Sequence, residues 1–309
     1  MSLIILLFFQ NLTEIGFEHV PYLKGVDGAM HLTLAQKNRQ LGYKIPSPYP
    51  NGWYAIAESY ELKIGTVQTA TALGLNFCVY RGEDGVARAV DAYCPHLGAN
   101  LGIGGEVKGN CIECPFHQWR FDTEGKCIHI PDVENIPKGV SIKTWETMEV
   151  DGAVWIWYDA EGRPPMWKSP PHDDSKDYGY RGRNEFIISA HIRFIVFQIG
   201  PAQVRLFFNS KLGPMVVYQS ITPIGPMLLK VVHRVYSPSY IALFGVVMVY
   251  GEAYQFERDV VVWNNKTHVS SPPFVKPDKA VKAFRDWYSQ FYSPNSKSMK
   301  DALQNPLEW

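Results

Sequence analysis

The chain has 309 residues, 46% of them hydrophobic and 19% charged, and its 30 basic and 30 acidic side chains leave no net charge. That length accommodates two domains with their own cores, and the composition is globular, which excludes bulk disorder. The even charge balance gives neither nucleic acid nor an anionic membrane surface an electrostatic hold.

In chain order, Leu3 to Phe9 is the first feature, an apolar run with no basic residue before it and no small-residue cleavage site after it. It is too short for a bilayer, which takes about 20 residues. Residues 1–45 therefore read as an N-terminal segment, either a docked terminus or the remnant of a membrane anchor. Pro46-Ser47-Pro48-Tyr49-Pro50-Asn51-Gly52 breaks any regular element, and a β-rich domain, 46–160, is expected to start there. Trp53 to Leu62 and Asn76 to Arg81 read as strands, and Gly82-Glu83-Asp84-Gly85 turns the chain into Val86 to Ala92. Trp119 to Phe121 and Cys127 to Ile130 flank a turn at Asp122 to Lys126, and Met148 to Trp155 carries an Asp151-Gly152 hairpin. Such short, closely punctuated strands predict a small antiparallel sandwich.

Residues 161–183, with Pro164-Pro165, Pro170-Pro171 and the charges around Asp173 to Asp177, have a linker's composition. In the last domain, 184–309, Phe186 to Ile199, Val204 to Asn209, Met215 to Thr222 and Leu228 to Tyr236 are strand-like. Tyr240 to Trp263 and Asp278 to Phe291 follow as helices, the second with Ala280, Ala283, Phe284, Trp287 and Phe291 at helical spacing. Ile241 to Tyr250 is a short apolar run, which suits a core helix and not a membrane span. The fold class is α+β.

The chemistry concentrates in Cys94-Pro95-His96 and Cys114-Pro115-Phe116-His117, a C-x-H pair and a C-x2-H pair separated by 17 residues rich in glycine. Two thiolates and two imidazoles can hold one tetrahedral zinc, or a [2Fe-2S] cluster with the cysteines on one iron and the histidines on the other. Each half offers one sulfur and one nitrogen, as two loops gripping both irons from one side must. A Cys2His2 zinc finger keeps its cysteines together and its histidines together on a helix. Cys111, which makes a C-x2-C with Cys114, keeps the zinc alternative open, although a bystander role is expected for it. Cys78 and Cys127 read as core thiols and His129 as a satisfied structural histidine. Trp53, Trp119 and Phe121 are expected to pack round the cluster. The five cysteines form an odd-numbered group in a chain without a secretory signal, which reads as reduced cytosolic thiols.

Cys94-Pro95-His96-Leu97-Gly98-Ala99 and Cys114-Pro115-Phe116-His117-Gln118-Trp119 resemble the two loops of a Rieske [2Fe-2S] domain. The resemblance implies that Cys94, His96, Cys114 and His117 bind the cluster. High-potential Rieske domains carry a further cysteine in each loop, joined as a disulfide, and Ala99 and Phe116 stand at those positions here. Together with Gln118-Trp119 after the second histidine, this implies a potential near the low end of the Rieske range, suited to feeding an oxygen-activating iron.

Asn184 to Ile192, Phe256 to Lys266 and Phe284 to Tyr292 resemble the oxygenase components of sterol-acting Rieske enzymes, above all the Neverland-type cholesterol 7-desaturases. The resemblance implies a helix-grip (START-like) domain after the Rieske domain, holding a mononuclear Fe(II) that activates O2 against a sterol. It further implies electrons from an NAD(P)H-dependent reductase, a homotrimer, and a cytoplasmic protein associated with the endoplasmic reticulum membrane. Such an iron needs two histidines and a carboxylate. Asp259 falls at the carboxylate position, where it can equally be a solvated residue of a charged helix end. The family's histidine pair, Asp-x2-His-x4-His, is missing: Ile192 runs directly into Arg193-Phe194-Ile195, and no His-x4-His occurs in the chain. His19, His31, His172, His191, His233 and His268 do not replace it. The second domain is thus expected to be truncated by an internal deletion, leaving no mononuclear iron in this chain. Three readings stand: a sterol desaturase by descent, an inactive splice form or gene-model fragment that keeps only the electron-transfer cluster, and a structural zinc-binding interaction protein.

Overall fold

The computed structural model describes residues 46–170, 177–188, 197–210, 212–264, 272–273 and 278–304. The apolar run Leu3 to Phe9 and His19, His31, His172, His191 and His268 lie outside the described residues. The chain forms two compact units, one made of Pro50–Pro171 with Ser293–Ser296, the other containing the described parts of 177–292 and 297–304.

In the first unit, β1 (Gly52–Glu58) pairs with β11 (Ala153–Tyr158), which carries β10 (Thr147–Val150) on its other edge. A second sheet runs in the order β2 (Val67–Ala72), β3 (Leu75–Arg81), β4 (Ala87–Asp91), β9 (Thr144–Trp145). The third runs β5 (Glu106–Lys108), β6 (Cys111–Glu113), β7 (Arg120–Phe121), β8 (Cys127–His129). Neighbouring strands are antiparallel throughout. Asp151 (φ 54°) and Gly152 (φ 76°) make the expected two-residue turn between β10 and β11, with the positive φ values such turns require. Leu73 (φ 58°) and Gly74 (φ 70°) do the same between β2 and β3, a hairpin that leucine in the first turn position conceals.

Among the described residues, two of the apolar groups in this unit bear on the packing expected round the loops. Cys78, Tyr80, Val90, Leu101, Ile112 and Phe121 surround the inner ends of the two Cys/His loops, while Trp53, Ala55, Ala153, Trp155 and Trp157 form a separate cluster. Trp53 therefore packs away from the loops, not round them as expected. The linker reading of 161–183 also needs correction. Trp53 Nε1 donates to the Trp167 carbonyl at 2.7 Å, and the Trp167 ring lies edge-on to Trp157 at 4.6 Å. The proline-rich stretch is thus docked by an aromatic anchor, and 179–183 are already strand. Beyond the second unit the chain returns to the first, where Asn51 Nδ2 donates to Ser293 Oγ at 3.0 Å and Asn295 donates to Glu161.

The second unit is one antiparallel sheet, in the order β12 (Gly179–Ile188), β16 (Leu228–Ser237), β15 (Gly213–Gly225), β14 (Gln203–Ser210), β13 (Phe197–Ile199). Helix α1 (Ala242–Asn264) lies across β12 and β16, and α2 (Lys279–Ser289) and α3 (Met299–Gln304) follow. Phe186, Val204, Ile221 and Val231 from the sheet meet Phe256 of α1, and Val217 and Val235 meet Val249. The helix comes close because both surfaces are bare: a Cβ on Gly245 would stand 2.8 Å from Arg181 Cγ and Ser237 Oγ, and one on Gly182 3.2 Å from Val249. Among the described residues no helix is long and apolar enough to cross a membrane.

Candidate iron-sulfur site

Loop one leaves β4 and loop two joins β6 to β7, and the two have the same backbone design. Cys94 N–H donates to the Ala99 carbonyl at 2.9 Å and Gly98 N–H returns to the Cys94 carbonyl at 2.9 Å. In loop two, Cys114 N–H donates to the Trp119 carbonyl at 2.8 Å and Gln118 N–H to the Cys114 carbonyl at 3.1 Å. In both, the residue four beyond the cysteine is left-handed, Gly98 at φ 73° and Gln118 at φ 56°. Each loop is thereby closed on itself with its cysteine at the neck.

The closure sorts the donors by type. Cys94 and Cys114 are 3% and 2% exposed, and they are not joined as a disulfide. His96 is exposed and His117 half-buried, their rings 4.7 Å apart between centroids. Trp119 lies parallel to His96 at 4.4 Å and 5°, and Phe116 covers His117 at 4.0 Å. Burial, reinforced by the Cys114 thiol, pushes Cys94 up to about 11 despite a lowering hydrogen bond from the His96 backbone. A buried pair of thiols gives up its protons readily only to a cation that compensates the charge. Two buried sulfurs behind two outward nitrogens fit a two-iron cluster with sulfur and nitrogen ligands on different irons.

The base of loop two is clamped. Glu113 and Arg120 face each other across β6 and β7, and Arg120 Nε and Nη2 donate to Glu113 Oε2 at 3.0 and 2.7 Å. This pair was not evident in the sequence, where the charges are separated by the motif itself. Cys78 and Cys127 are buried core thiols as expected, and Cys111 is half-buried at the start of β6. His129 ends β8 with its side chain exposed.

In the second unit His233 is not isolated. It is 2% exposed, and the register aligns Asn184, His233 and Gln219 on adjacent strands. The Gln219 amide donates to His233 Nε2 at 2.6 Å, His233 Nδ1 pairs with Glu252 of α1, and Asn184 Nδ2 donates to Glu252 Oε2 at 2.9 Å. Phe186 and Phe256 close round the imidazole at 5.9 and 4.7 Å. Asp259 lies half-buried on α1, on the helical face that Glu252 and Phe256 share by spacing.

Comparison with known proteins agrees with this architecture. Residues 52–146 match the Rieske [2Fe-2S] domain family, and residues 197–292 match the 3-ketosteroid 9alpha-hydroxylase C-terminal domain. NdmA of Pseudomonas putida CBB5 shares the fold with a TM-score of 0.63 at 17% identity, over 77% of this chain and 89% of that one. Dicamba monooxygenase with non-heme iron and dicamba gives 0.52 at 16% identity, over 78% and 96%. Fold and domain content together define a Rieske oxygenase. Cholesterol 7-desaturase nvd of Bombyx mori is 47% identical over 97% of this chain and 82% of that protein. The protein of the same name from Drosophila melanogaster is 37% identical over 84% and 79%. The chain belongs to the cholesterol 7-desaturase family. The Bombyx match runs over 371 residues, so at least 62 of them (371 less 309) have no counterpart in this chain.

Proposed function

We propose that this polypeptide is the electron-transfer part of a cholesterol 7-desaturase, with a working cluster in 46–160 and an incomplete sterol-oxygenase domain in 184–309. Cys94, His96, Cys114 and His117 would hold the [2Fe-2S] cluster, which supplies one-electron redox chemistry when bound. The protein's own part is to bury the sulfurs, keep both imidazoles at the surface, and close each loop by its paired backbone hydrogen bonds. An NAD(P)H-dependent reductase meets the histidine face, and the protein acts in the cytoplasm. The observation that carries this reading is the sorting of the four donors into a buried thiol pair and an outward imidazole pair.

The fate of the electron decides the rest. Asp259 would be the carboxylate ligand of a mononuclear iron, and no His-x4-His occurs in the sequence to accompany it. The Bombyx residues that have no counterpart in this chain are of a number that a lost ligand-bearing segment would explain. The second reading, a complete desaturase acting on a sterol as an endoplasmic-reticulum-associated homotrimer, is favoured by identity extending over nearly the whole chain.

Iron, zinc and labile sulfide analysis with electron paramagnetic resonance (EPR) on the purified chain separates these. About two irons per chain and a Rieske signal on reduction are expected. A third iron with conversion of cholesterol to its 7-dehydro product would establish the desaturase, and zinc without labile sulfide would establish the zinc protein. His96→Ala abolishes the cluster, while Asp259→Ala leaves iron content unchanged.

A further inference from the structure

Trp119 belongs to loop two by its backbone and to loop one by its ring. Its carbonyl accepts the Cys114 N–H at 2.8 Å, which fixes it at the closing end of loop two. Its ring lies flat on His96 of loop one, 4.4 Å between centroids and 5° from parallel. The ring also packs against the apolar group that buries Cys94 and Cys114, so the indole is held from behind and presents one face to the histidine. The cysteines are free, and Ala99 and Phe116 occupy the places where a high-potential domain would carry its cross-link, so no disulfide ties the loops.

We propose that Trp119 is a positioning residue: its indole face braces the two loops against each other and sets the plane of the His96 ring toward the cluster. This rests on the assignment of His96 as a cluster ligand. The rotation of an imidazole about its Cβ–Cγ bond is soft, and a flat surface at stacking distance removes that freedom. Because the surface is supplied by the opposite loop, separating the loops and turning His96 are one motion. Phe116 does not serve this purpose, since it covers the histidine of its own loop.

The test compares Trp119→Phe with Trp119→Leu in the full chain reconstituted with iron and sulfide. Each is read by EPR on reduction, by midpoint potential, and by the rate of visible-absorbance loss under a chelator. The phenylalanine ring retains a flat face, so that variant keeps the wild-type g-values and cluster lifetime to within about twofold. The leucine side chain fills space without a plane, so that variant shows broadened, shifted g-values and loses its cluster roughly five- to tenfold faster, the scale of one aromatic pair. Far-UV circular dichroism checks that both retain the fold; a leucine variant that folds yet takes up no cluster, beside a loaded phenylalanine variant, also supports the brace. Phenylalanine and leucine variants that match each other beside a normal wild-type spectrum overturn the brace alone. A wild-type chain with no Rieske spectrum overturns the cluster assignment and the brace with it.

Discussion

Gly98 and Gln118 hold the same place in the two loops. Each donates its N–H to the carbonyl of the cysteine four residues earlier, and each has a positive φ, 73° and 56°. Only glycine adopts that conformation without cost. A Cβ on Gly98 meets nothing within 4 Å, so replacement there is a pure backbone experiment. Gly98→Ala should lower stability by about 1 kcal/mol, and Gln118→Gly should raise it by up to about 1 kcal/mol. Urea denaturation of the two variants checks this. A Gln118→Gly variant weaker than wild type would mean that the glutamine side chain contributes more than its backbone strain costs.

The Glu113–Arg120 pair predicts how firmly loop two is based. The Glu113 side chain is 10% exposed and Arg120 brings both of its hydrogen bonds. Arg120→Met removes the donors and leaves a nearly buried carboxylate, a loss of about 1–3 kcal/mol. Glu113→Gln retains an acceptor for the guanidinium and should cost less. The urea midpoints of the two variants give the comparison, and equal losses would show that charge, not the hydrogen bond, is what Arg120 supplies.

What could be read from the sequence was local. The loop motif, the Asp151-Gly152 turn, the last three strands of the second unit and its first two helices each lie within a short stretch and follow from turn chemistry and periodicity, whereas the single strand expected over Phe186 to Ile199 is two, β12 and β13, at opposite edges of the sheet. What escaped depends on neighbours distant in the chain. The docking of Trp167 needs Trp53 and Trp157, and the surroundings of His233 need Asn184, Gln219 and Glu252, which meet only once three strands are in register and α1 is laid across them. The Leu73-Gly74 hairpin was hidden for a different reason: leucine carries no turn preference, and the positive φ is imposed by the pairing of β2 and β3.

Cys78 gives a prediction in pH. Burial pushes its thiol up to about 12, and burial raises Tyr80 on the same strand as well. The unfolded thiol ionises near about 8.5, so from there up to the folded value the unfolded state holds fewer protons than the native one. The contribution of Cys78 is complete below that lower pH and is lost progressively as pH rises toward about 12. Cys78→Ala should therefore flatten the alkaline fall in urea midpoint relative to wild type, while leaving the neutral-to-acid range parallel. Slopes that coincide above the unfolded thiol's pKa would sink the claim.

His233 and Glu252 join the sheet to α1, and their coupling is measurable. Each is embedded: His233 is 2% exposed and takes the Gln219 amide on Nε2, while Glu252, 18% exposed, also accepts from Asn184. Removing either partner leaves the other's polar atoms in an apolar interface lined by Phe186 and Phe256, at about 1–3 kcal/mol. Removing both avoids that orphaned group, so the double variant should cost less than the sum of the singles. A cycle of His233→Leu, Glu252→Leu and the double change, followed by urea unfolding of the second unit's intrinsic fluorescence, yields the coupling directly. Strict additivity would mean that α1 is held by Phe256, Val249 and the close approach at Gly182 and Gly245, with the His233–Glu252 contact contributing nothing of its own.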